Sequence, residues 1–261
     1  MFSAKKRPNV NEMKAKGDVN GLAKALSYKN KDDSMSSQIR SDATRALVEI
    51  GCIDAKIVNL IIETLRDEDE YVRAMIPLGL GQLSPKIKDL GQLKQIIDSL
   101  VLALKDEASC ATAAWALGEI CTRNDVDLQT RTLLVRPLID ALKFAATISA
   151  IPYDPRDYVA QSLWHVGEPA VTALIDMLED ENEDVRWPAA GALGNIKDAR
   201  AVKPLIPLLN DKSSLVCLYA VVALGNIGDK QAVKPLMNCK AQNSENKKLI
   251  EAIDTALEKI K

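Results

Sequence analysis

Few side chains in this sequence could act together in catalysis or metal binding. His165 is the only histidine among 261 residues, so a histidine-based triad would depend on that one side chain. The five cysteines are scattered and form no Cys-x-x-Cys pair, which argues against zinc and is typical of reduced thiols in a cytoplasmic protein. They are Cys52, Cys110, Cys121, Cys217 and Cys239. No Gly-rich phosphate loop, Gly-x-Ser-x-Gly or His-Glu-x-x-His is present, so we expect no catalytic residues, metal or cofactor.

The charges exclude an overall basic surface. Basic and acidic residues number 34 and 36, whereas a nucleic-acid-binding domain usually carries a clustered basic excess. The one local excess lies in residues 1–16, which hold a single acid, Glu12, against five cations: Lys5, Lys6, Arg7, Lys14 and Lys16. We predict a disordered basic tail over residues 1–16. No run of 18 apolar residues occurs, so no membrane span is predicted.

The strongest pattern is an internal repeat. The pentapeptide Ala-Leu-Gly-Asn-Ile ends at Ile196 and again at Ile227, an offset of 31 residues. Ala-Val-Lys-Pro-Leu recurs at the same offset, at residues 201–205 and 232–236. Weaker copies of the first string end at Ile50, Leu83, Ile120 and Val166, each after an apolar segment. Self-similarity at this period indicates stacked repeats.

Apolar periodicity identifies the repeating elements as helices. Val185, Ala189, Ala192, Leu193 and Ile196 follow the spacing of one helical face. Stacked helix pairs bury such faces continuously, which predicts an all-α, right-handed α-α superhelix of about six to seven stacked helix pairs. After the tail, we expect one solenoid domain over 17–261, with pairs at about 17–51, 52–84, 92–121, 133–167, 168–197, 198–228 and a C-terminal cap at 229–261.

These strings resemble a known family. Asp-Val-Arg-x-x-Ala-Ala-x-Ala-Leu-Gly-x-Ile at 184–196, followed by Asp-x-x-Ala-Val-x-Pro-Leu at 198–205, resembles the short HEAT-like repeat named after phycobilisome (PBS) lyases, an armadillo-type fold. The resemblance covers residues 17–261 and implies a solenoid whose second helices line its concave side. It also implies a structural role, near the acid of Leu-x-Asp, for the arginines of the Val-Arg step: Arg40, Arg73, Arg156 and Arg186.

Two enzyme families share this repeat. Deoxyhypusine hydroxylases hold two irons with several His-Glu pairs, and this sequence contains none, which excludes that activity. Bilin lyases act on tetrapyrroles and phycobiliproteins, but nothing beyond the shared repeat marks a bilin pocket here. A lyase-like subunit acting on a chromophore-bearing protein therefore stays an alternative.

The resemblance also predicts a binding surface. Variable positions on the second helices fall at i, i+4 and i+8, on one helical stripe. The predicted partner-binding residues are Leu78, Trp115, Glu119, Gln161, His165, Trp187, Asn195, Leu218, Val222 and Asn226. Large apolar groups rimmed by polar ones, here without lysine or arginine, are typical of protein-binding grooves. Alternatively, Trp115 and Trp187 turn into the core between repeats. Trp164 stands where other repeats have Gly and is predicted to be packed.

We therefore predict a non-catalytic, cytoplasmic scaffold or adaptor that binds a protein partner on its concave face, with no membrane partner and no small-molecule substrate. The first alternative is the lyase-like subunit. The second is a nucleic-acid-binding solenoid that uses the basic tail, which the overall charge disfavours. The long connection at residues 144–158 is either a further partner-binding surface or a neutral insertion.

Overall fold

The fold is helical throughout the residues that the computed structural model describes, which are 7–51, 54–148 and 154–260. Within these ranges the chain forms fifteen α-helices and six short 3-10 helices, and no strand. It divides into two compact units, Met1–Arg123 and Asn124–Lys261. The predicted single solenoid domain over residues 17–261 stays a prediction. Because each pair of a repeat stack contacts mainly its neighbours, the repeat pattern does not reveal where such a division falls.

Both units are built from consecutive α-helices. The first unit contains α1 Val10–Ala15, α2 Val19–Ala25, α3 Ser36–Ile50, α4 Ala55–Glu63, α5 Glu70–Leu83, α6 Leu90–Ala103 and α7 Cys110–Cys121. The second contains α8 Leu128–Ala145, α9 Pro155–Val166, α10 Val171–Met177, α11 Glu183–Ile196, α12 Val202–Leu205, α13 Ser214–Ile227, α14 Val233–Gln242 and α15 Lys247–Ile260. The all-α prediction of stacked pairs is confirmed. None of the helices in the described part of the chain is long and apolar enough to cross a membrane.

The N-terminal segment differs from the predicted disordered tail. Helix α1 begins after Asn9, whose side chain accepts a hydrogen bond from the Glu12 backbone N–H at 3.1 Å. Glu12 also pairs with Lys16 at 2.6 Å, and Lys14 pairs with Glu49 of α3. Composition alone missed this helix because six residues form too short a window for a periodic pattern. Residues 1–6 lie outside the described ranges.

Short polar signals fix where the helices begin and end. Asp54 and Asp69 accept hydrogen bonds from the first backbone N–H groups of α4 and α5, as expected of N-cap residues. The second helices α3 and α13 end at Gly51 and Gly228, both with φ near +77°. In α11 the left-handed position is taken by Lys197, with φ of 62°.

Within each unit, the second helix of a pair packs directly on the second helix of the next pair. A Cβ added to Gly194 of α11 would lie 2.6 Å from the Cα of Ala223 in α13, and one on Gly225 would lie 2.7 Å from the Cα of Ala256 in α15. Such contacts leave no room for a side chain. On the other side of the first unit, α4 and α6 leave a cleft of about 440 Å³. The second helices therefore form the tightly packed side, and we call their exposed surface the inner face of each unit.

Arginines of the Val-Arg step link consecutive pairs. Arg186 Nε and Nη2 donate to the Asp211 carboxylate at 2.9 and 2.8 Å, and Nη1 donates to the backbone carbonyls of Asp180 and Glu181. Arg40 binds Asp67 at 2.7 Å, and Arg73 binds Asp106 at 3.1 Å. The predicted structural role is confirmed at these three positions. The exception is Arg156, whose partners belong to the inner face.

Candidate functional site

The described residues with metal-binding potential are not clustered as ligands, and the described cysteines are buried. No three of the described His, Cys, Asp and Glu side chains come together as metal ligands could. Cys110, Cys121, Cys217 and Cys239 are buried free thiols, and Cys52 lies outside the described ranges. Burial, then the charge of Asp106, raises the pKa of Cys110 to about 12, and burial also raises that of Cys217 to about 12. Thiols with such pKa values are poor nucleophiles at neutral pH.

The inner face of the first unit carries three of the predicted contact residues. Leu78, Trp115 and Glu119 are each half-buried on α5 and α7. The Trp115 Cζ3 atom lies 2.8 Å from where a Cβ on Gly81 would be, so the indole packs over that glycine. Trp115 therefore presents only part of its ring to solvent.

The inner face of the second unit carries the other seven. Val222 of α13 is 41% exposed, and Leu218 lies half-buried one turn earlier. Around them, Asn195 is exposed, whereas Gln161, His165 and Asn226 are half-buried. Six of the seven predicted side chains therefore reach solvent on helices α9, α11 and α13.

Trp187 is the seventh, and the prediction that its side chain is exposed was wrong. It is only 5% exposed and packs against the ring of Tyr219, with centroids 4.9 Å apart. The Arg156 guanidinium lies 5.6 Å from the Trp187 ring centre. Gly191, one turn later on α11, leaves space that the Tyr219 ring fills, 3.1 Å from where a Cβ would be. The indole is thus held between neighbours, in agreement with the alternative of a tryptophan turned into the core, and its Nε1 is buried without an acceptor.

Trp164 shows the opposite error, because it was predicted to be packed and is 39% exposed. Its position in α9 corresponds to Gly194 in α11, where a Cβ would clash with the next helix. An indole cannot enter such a contact, so the side chain lies at the surface and stacks on His165 with centroids 4.8 Å apart. The Nδ1 atom of His165 is buried without a partner. A large aromatic residue at a small-residue position was the signal that could have identified this group.

A charged cluster lies where α9 and α11 begin. Arg156 donates to both carboxylate oxygens of Asp154, at 2.7 to 3.1 Å, and forms an ion pair with Asp184. The hydrogen bond from Arg156 lowers the pKa of Asp154. Burial, followed by the charge of Asp154, raises the pKa of Asp157. Sequence reasoning missed this cluster because it assigned Arg156 a purely structural role.

The described cations of the N-terminal segment are all paired with acids. Arg7 lies 3.5 Å from Asp33, and the lysines Lys16 and Lys14 bind Glu12 and Glu49. The hydrogen bond from Lys14 lowers the pKa of Glu49. These cations therefore form no uncompensated basic patch, whereas Lys5 and Lys6 lie outside the described ranges.

The long connection is only partly described. Helix α8 ends at Ala145 and α9 begins at Pro155, and residues 149–153 lie outside the described ranges. The apolar centre of the predicted surface, Ile151-Pro-Tyr153, falls within that gap. Its role in partner binding stays a prediction.

Comparison with known proteins agrees with this architecture. The family model of HEAT repeats matches residues 144–218 and 171–258. No curated protein sequence matches the chain significantly. An archaeal HEAT-like repeats protein from Thermococcus onnurineus NA1 is similar in structure, with a TM-score of 0.56 and 15% identity over 93% of this chain and 98% of that one.

Two solved enzyme structures also align over most of their length. The complex of CpcE and CpcF of phycocyanin lyase from Nostoc sp. PCC7120 gives a TM-score of 0.49 and 17% identity, over 100% of this chain and 98% of that one. Human deoxyhypusine hydroxylase gives a TM-score of 0.37 and 19% identity, over 96% of this chain and 98% of that one. Identities this low show the fold alone. The predicted HEAT-like repeats are confirmed by the family match within residues 144–258, and the archaeal structure supports the predicted fold over 93% of the chain.

Proposed function

We propose that this chain is a non-catalytic scaffold that binds a protein partner on the inner face of its second unit. The observation that carries the proposal is the 41% exposed Val222, which lies one turn after the half-buried Leu218 on α13. Exposed apolar side chains at the centre of a polar rim are the arrangement that protein interfaces use. Here the rim is supplied by Asn195 and Asn226.

Trp164 extends this surface along α9. Tryptophan is among the residues that contribute most to binding energy, because a large ring loses water over a large area with few rotatable bonds. In the repeats that retain Gly at this position, the second helices close on one another. The second unit therefore presents an aromatic group at the position where α11 and α13 have Gly194 and Gly225 against an alanine of the next helix.

The polar groups of the surface favour a protein over a nucleic acid. Phosphate binding needs lysine or arginine side chains that are free to pair with a ligand. At the predicted contact positions of the second unit, all polar side chains are uncharged amides or the imidazole of His165. The adjacent Lys259 donates to the Oδ1 atom of Asn226 at 2.8 Å, and Arg156 is held by two carboxylates.

Rigid helices also suit this role. A groove whose backbone is held by Gly–Ala contacts and by Arg–Asp ion pairs is ordered before it meets a ligand, so less conformational entropy is lost on binding. The first unit offers a second surface in Leu78, Trp115 and Glu119. These half-buried residues would add contacts rather than carry the interaction.

The proposal can be tested by photo-crosslinking in extracts of the source organism. A photoreactive amino acid is placed at residue 222, and a matched control carries it at Met237, which is 58% exposed on α14. We expect a protein to be crosslinked from residue 222 but not from residue 237, and the product to disappear with Leu218→Glu. Equal crosslinking from both positions would contradict a specific inner-face site.

A further measurement separates the scaffold from the lyase-like alternative. The purified chain is expected to carry no visible absorbance when isolated from cells that make tetrapyrroles. A tetrapyrrole spectrum that persists through purification would contradict the non-catalytic proposal.

A further inference from the structure

We infer that the inner face of the second unit binds a cationic side chain, that of lysine or arginine, in a peptide segment of the partner. This inference rests on the proposed function and names the chemistry of the segment. The site is the corner where the first turns of α9 and α11 meet Tyr219, and we call it the acidic corner. It comprises Asp154, Asp157, Asp184, Trp187 and Tyr219.

The acidic corner has more negative charge than the protein itself neutralises. One guanidinium, that of Arg156, serves both Asp154 and Asp184. Within the described part of the chain, the carboxylate of Asp157 has neither an ion pair nor a hydrogen bond. Three carboxylates thus share one cation. A ligand with a positive charge would complete the pairing, whereas an anionic ligand would be repelled.

Tyr219 joins the acidic corner to the inner face, because its ring lies 4.9 Å from the Trp187 ring, whose centre is 5.6 Å from the Arg156 guanidinium. Burial, and then the charges of Asp157 and Asp154, raise the pKa of the Tyr219 hydroxyl. The ring is half-buried on α13, next to Leu218. A cation that approaches Asp157 therefore meets an aromatic side chain beside the carboxylate, and aromatic rings attract cations through the negative potential of their faces.

Unpaired hydrogen-bond donors on the two packed rings of the corner favour a peptide over a simple amine. The Nε1 of Trp187 is buried without an acceptor although its residue is 95% buried, and buried donors are normally paired. The hydroxyl of Tyr219 has no partner among the described residues. A backbone carbonyl of a bound segment would accept from the Tyr219 hydroxyl while its side chain pairs with Asp157, and the buried Trp187 indole lies directly behind the Tyr219 ring.

The apolar neighbours of Tyr219 favour an aliphatic residue next to the cation in the bound segment. Leu218 and Val222 continue from Tyr219 along α13 and offer a surface for such a side chain. On the other side of α13, the Lys259 side chain of α15 donates a hydrogen bond to Asn226. Leu218 lies eight residues before Asn226, and Glu251 lies eight residues before Lys259, on the same helical stripes. Glu251 therefore lies beside Leu218. Glu251 is exposed. The surface therefore fits a segment in which lysine or arginine alternates with apolar residues.

The test uses two peptides of equal length and opposite charge, acetyl-(Lys-Leu)3-amide and acetyl-(Glu-Leu)3-amide, titrated into the full chain. Calorimetry gives the dissociation constant, and the NMR signal of the Trp187 indole N–H reports the location. We expect the lysine peptide to bind and shift that signal, and the glutamate peptide to do neither. Asp157→Asn should weaken binding about three- to fivefold, the range expected for a partly exposed ion pair.

The matched control is Asp176→Asn, which removes an exposed carboxylate from α10 on the opposite side of the unit. It should leave the affinity unchanged. Equal losses from both variants would mean that only overall charge matters, which would overturn the inference. So would binding of both peptides alike, or of neither. If spermidine displaces the lysine peptide with comparable affinity, the corner takes small polycations and the peptide assignment is wrong.

The inference and the proposed function can fail separately. If Asp157→Asn leaves peptide binding unchanged while crosslinking from residue 222 persists, the scaffold stands and the cationic site does not. If the lysine peptide binds through Asp157 but no protein is crosslinked from residue 222, the site stands and the scaffold function does not.

Discussion

Helices α9 and α11 occupy equivalent positions in consecutive pairs, yet they use their residues differently. In α11, Gly194 allows the next helix to approach, and Arg186 binds Asp211 of the next pair. In α9, Trp164 replaces the glycine, and Arg156 binds acids beside the inner face. The acid that Arg156 would bind by analogy, Asp180, pairs with Lys143 at 3.2 Å. Departure from the repeat pattern in α9 therefore coincides with exposed and charged groups on the inner face.

The largest expected difference in stability comes from substituting the two arginines. Arg186→Met should lower the free energy of unfolding by about 3–5 kcal/mol, because the largely buried Asp211 loses its cation. Arg156→Met should cost only about 1 kcal/mol, since its partners are more exposed to water. Urea denaturation of both variants gives the difference. Similar losses would contradict the division between a structural and a surface arginine.

A somewhat smaller effect is expected at the glycine position. Gly194→Val should destabilise the protein by about 2–3 kcal/mol, because its side chain would overlap Ala223. The reciprocal change, Trp164→Gly, should cost no more than about 1 kcal/mol, the helix penalty of glycine. The midpoint and slope of urea denaturation give the change in the free energy of unfolding for both variants. A large loss in Trp164→Gly would show that the indole supports the core.

The pH dependence of stability provides a further test of the ion pair between Arg186 and Asp211. Burial has the largest single influence on Asp211 and would raise its pKa, but the hydrogen bonds from Arg186 and from the Ser213 backbone N–H, together with the charges of Arg186 and Lys212, lower the pKa below the ordinary 3.8. A carboxylate with a lowered pKa stabilises the fold fully above pH 3.8 and loses this contribution as pH falls through the folded-state pKa. We expect Asp211→Asn to cost about 1–3 kcal/mol at neutral pH, and this cost to shrink below about pH 4. A pH-independent difference would be the contrary result.

The smallest expected stability effect belongs to the surface half. Trp164→Ala should change the free energy of unfolding by less than about 0.5 kcal/mol, as substitutions at exposed sites usually do. It should nevertheless weaken partner binding by at least about fivefold, equivalent to roughly 1 kcal/mol. Thermal melting measures the effect on stability, and calorimetry with the crosslinked partner measures the effect on binding. Unchanged affinity would remove Trp164 from the binding surface.

The sequence predicted the fold well because the residues that recur in the repeat are the ones that pack between helices. Ala-Leu-Gly-Asn-Ile marks α11 and α13, and Gly51 and Gly228 mark where second helices end. These features follow from local spacing and conformational preference, which a single sequence reveals. The short helix α1 and the division at Arg123 depend on tertiary contacts, which it does not reveal.

The candidate site was predicted less well, and the two tryptophans show why. A position on a helical stripe gives the direction of a side chain but not the space around it. Gly191 leaves room that the Tyr219 ring fills against Trp187, so that indole is enclosed, whereas the close approach of neighbouring second helices leaves no room for Trp164. A double Trp115→Ala/Trp187→Ala variant would accordingly perturb packing, and Val222 and Trp164 are the better probes of binding.

The central claim is that the inner face of the second unit holds a protein partner. It is tested most directly by measuring the affinity of the crosslinked partner for the wild-type chain, Val222→Glu and the matched outer variant Met237→Glu. Placing a charge in an apolar contact should weaken binding at least about tenfold for Val222→Glu, while Met237→Glu binds as the wild type does. Equal affinities for all three proteins would contradict the claim.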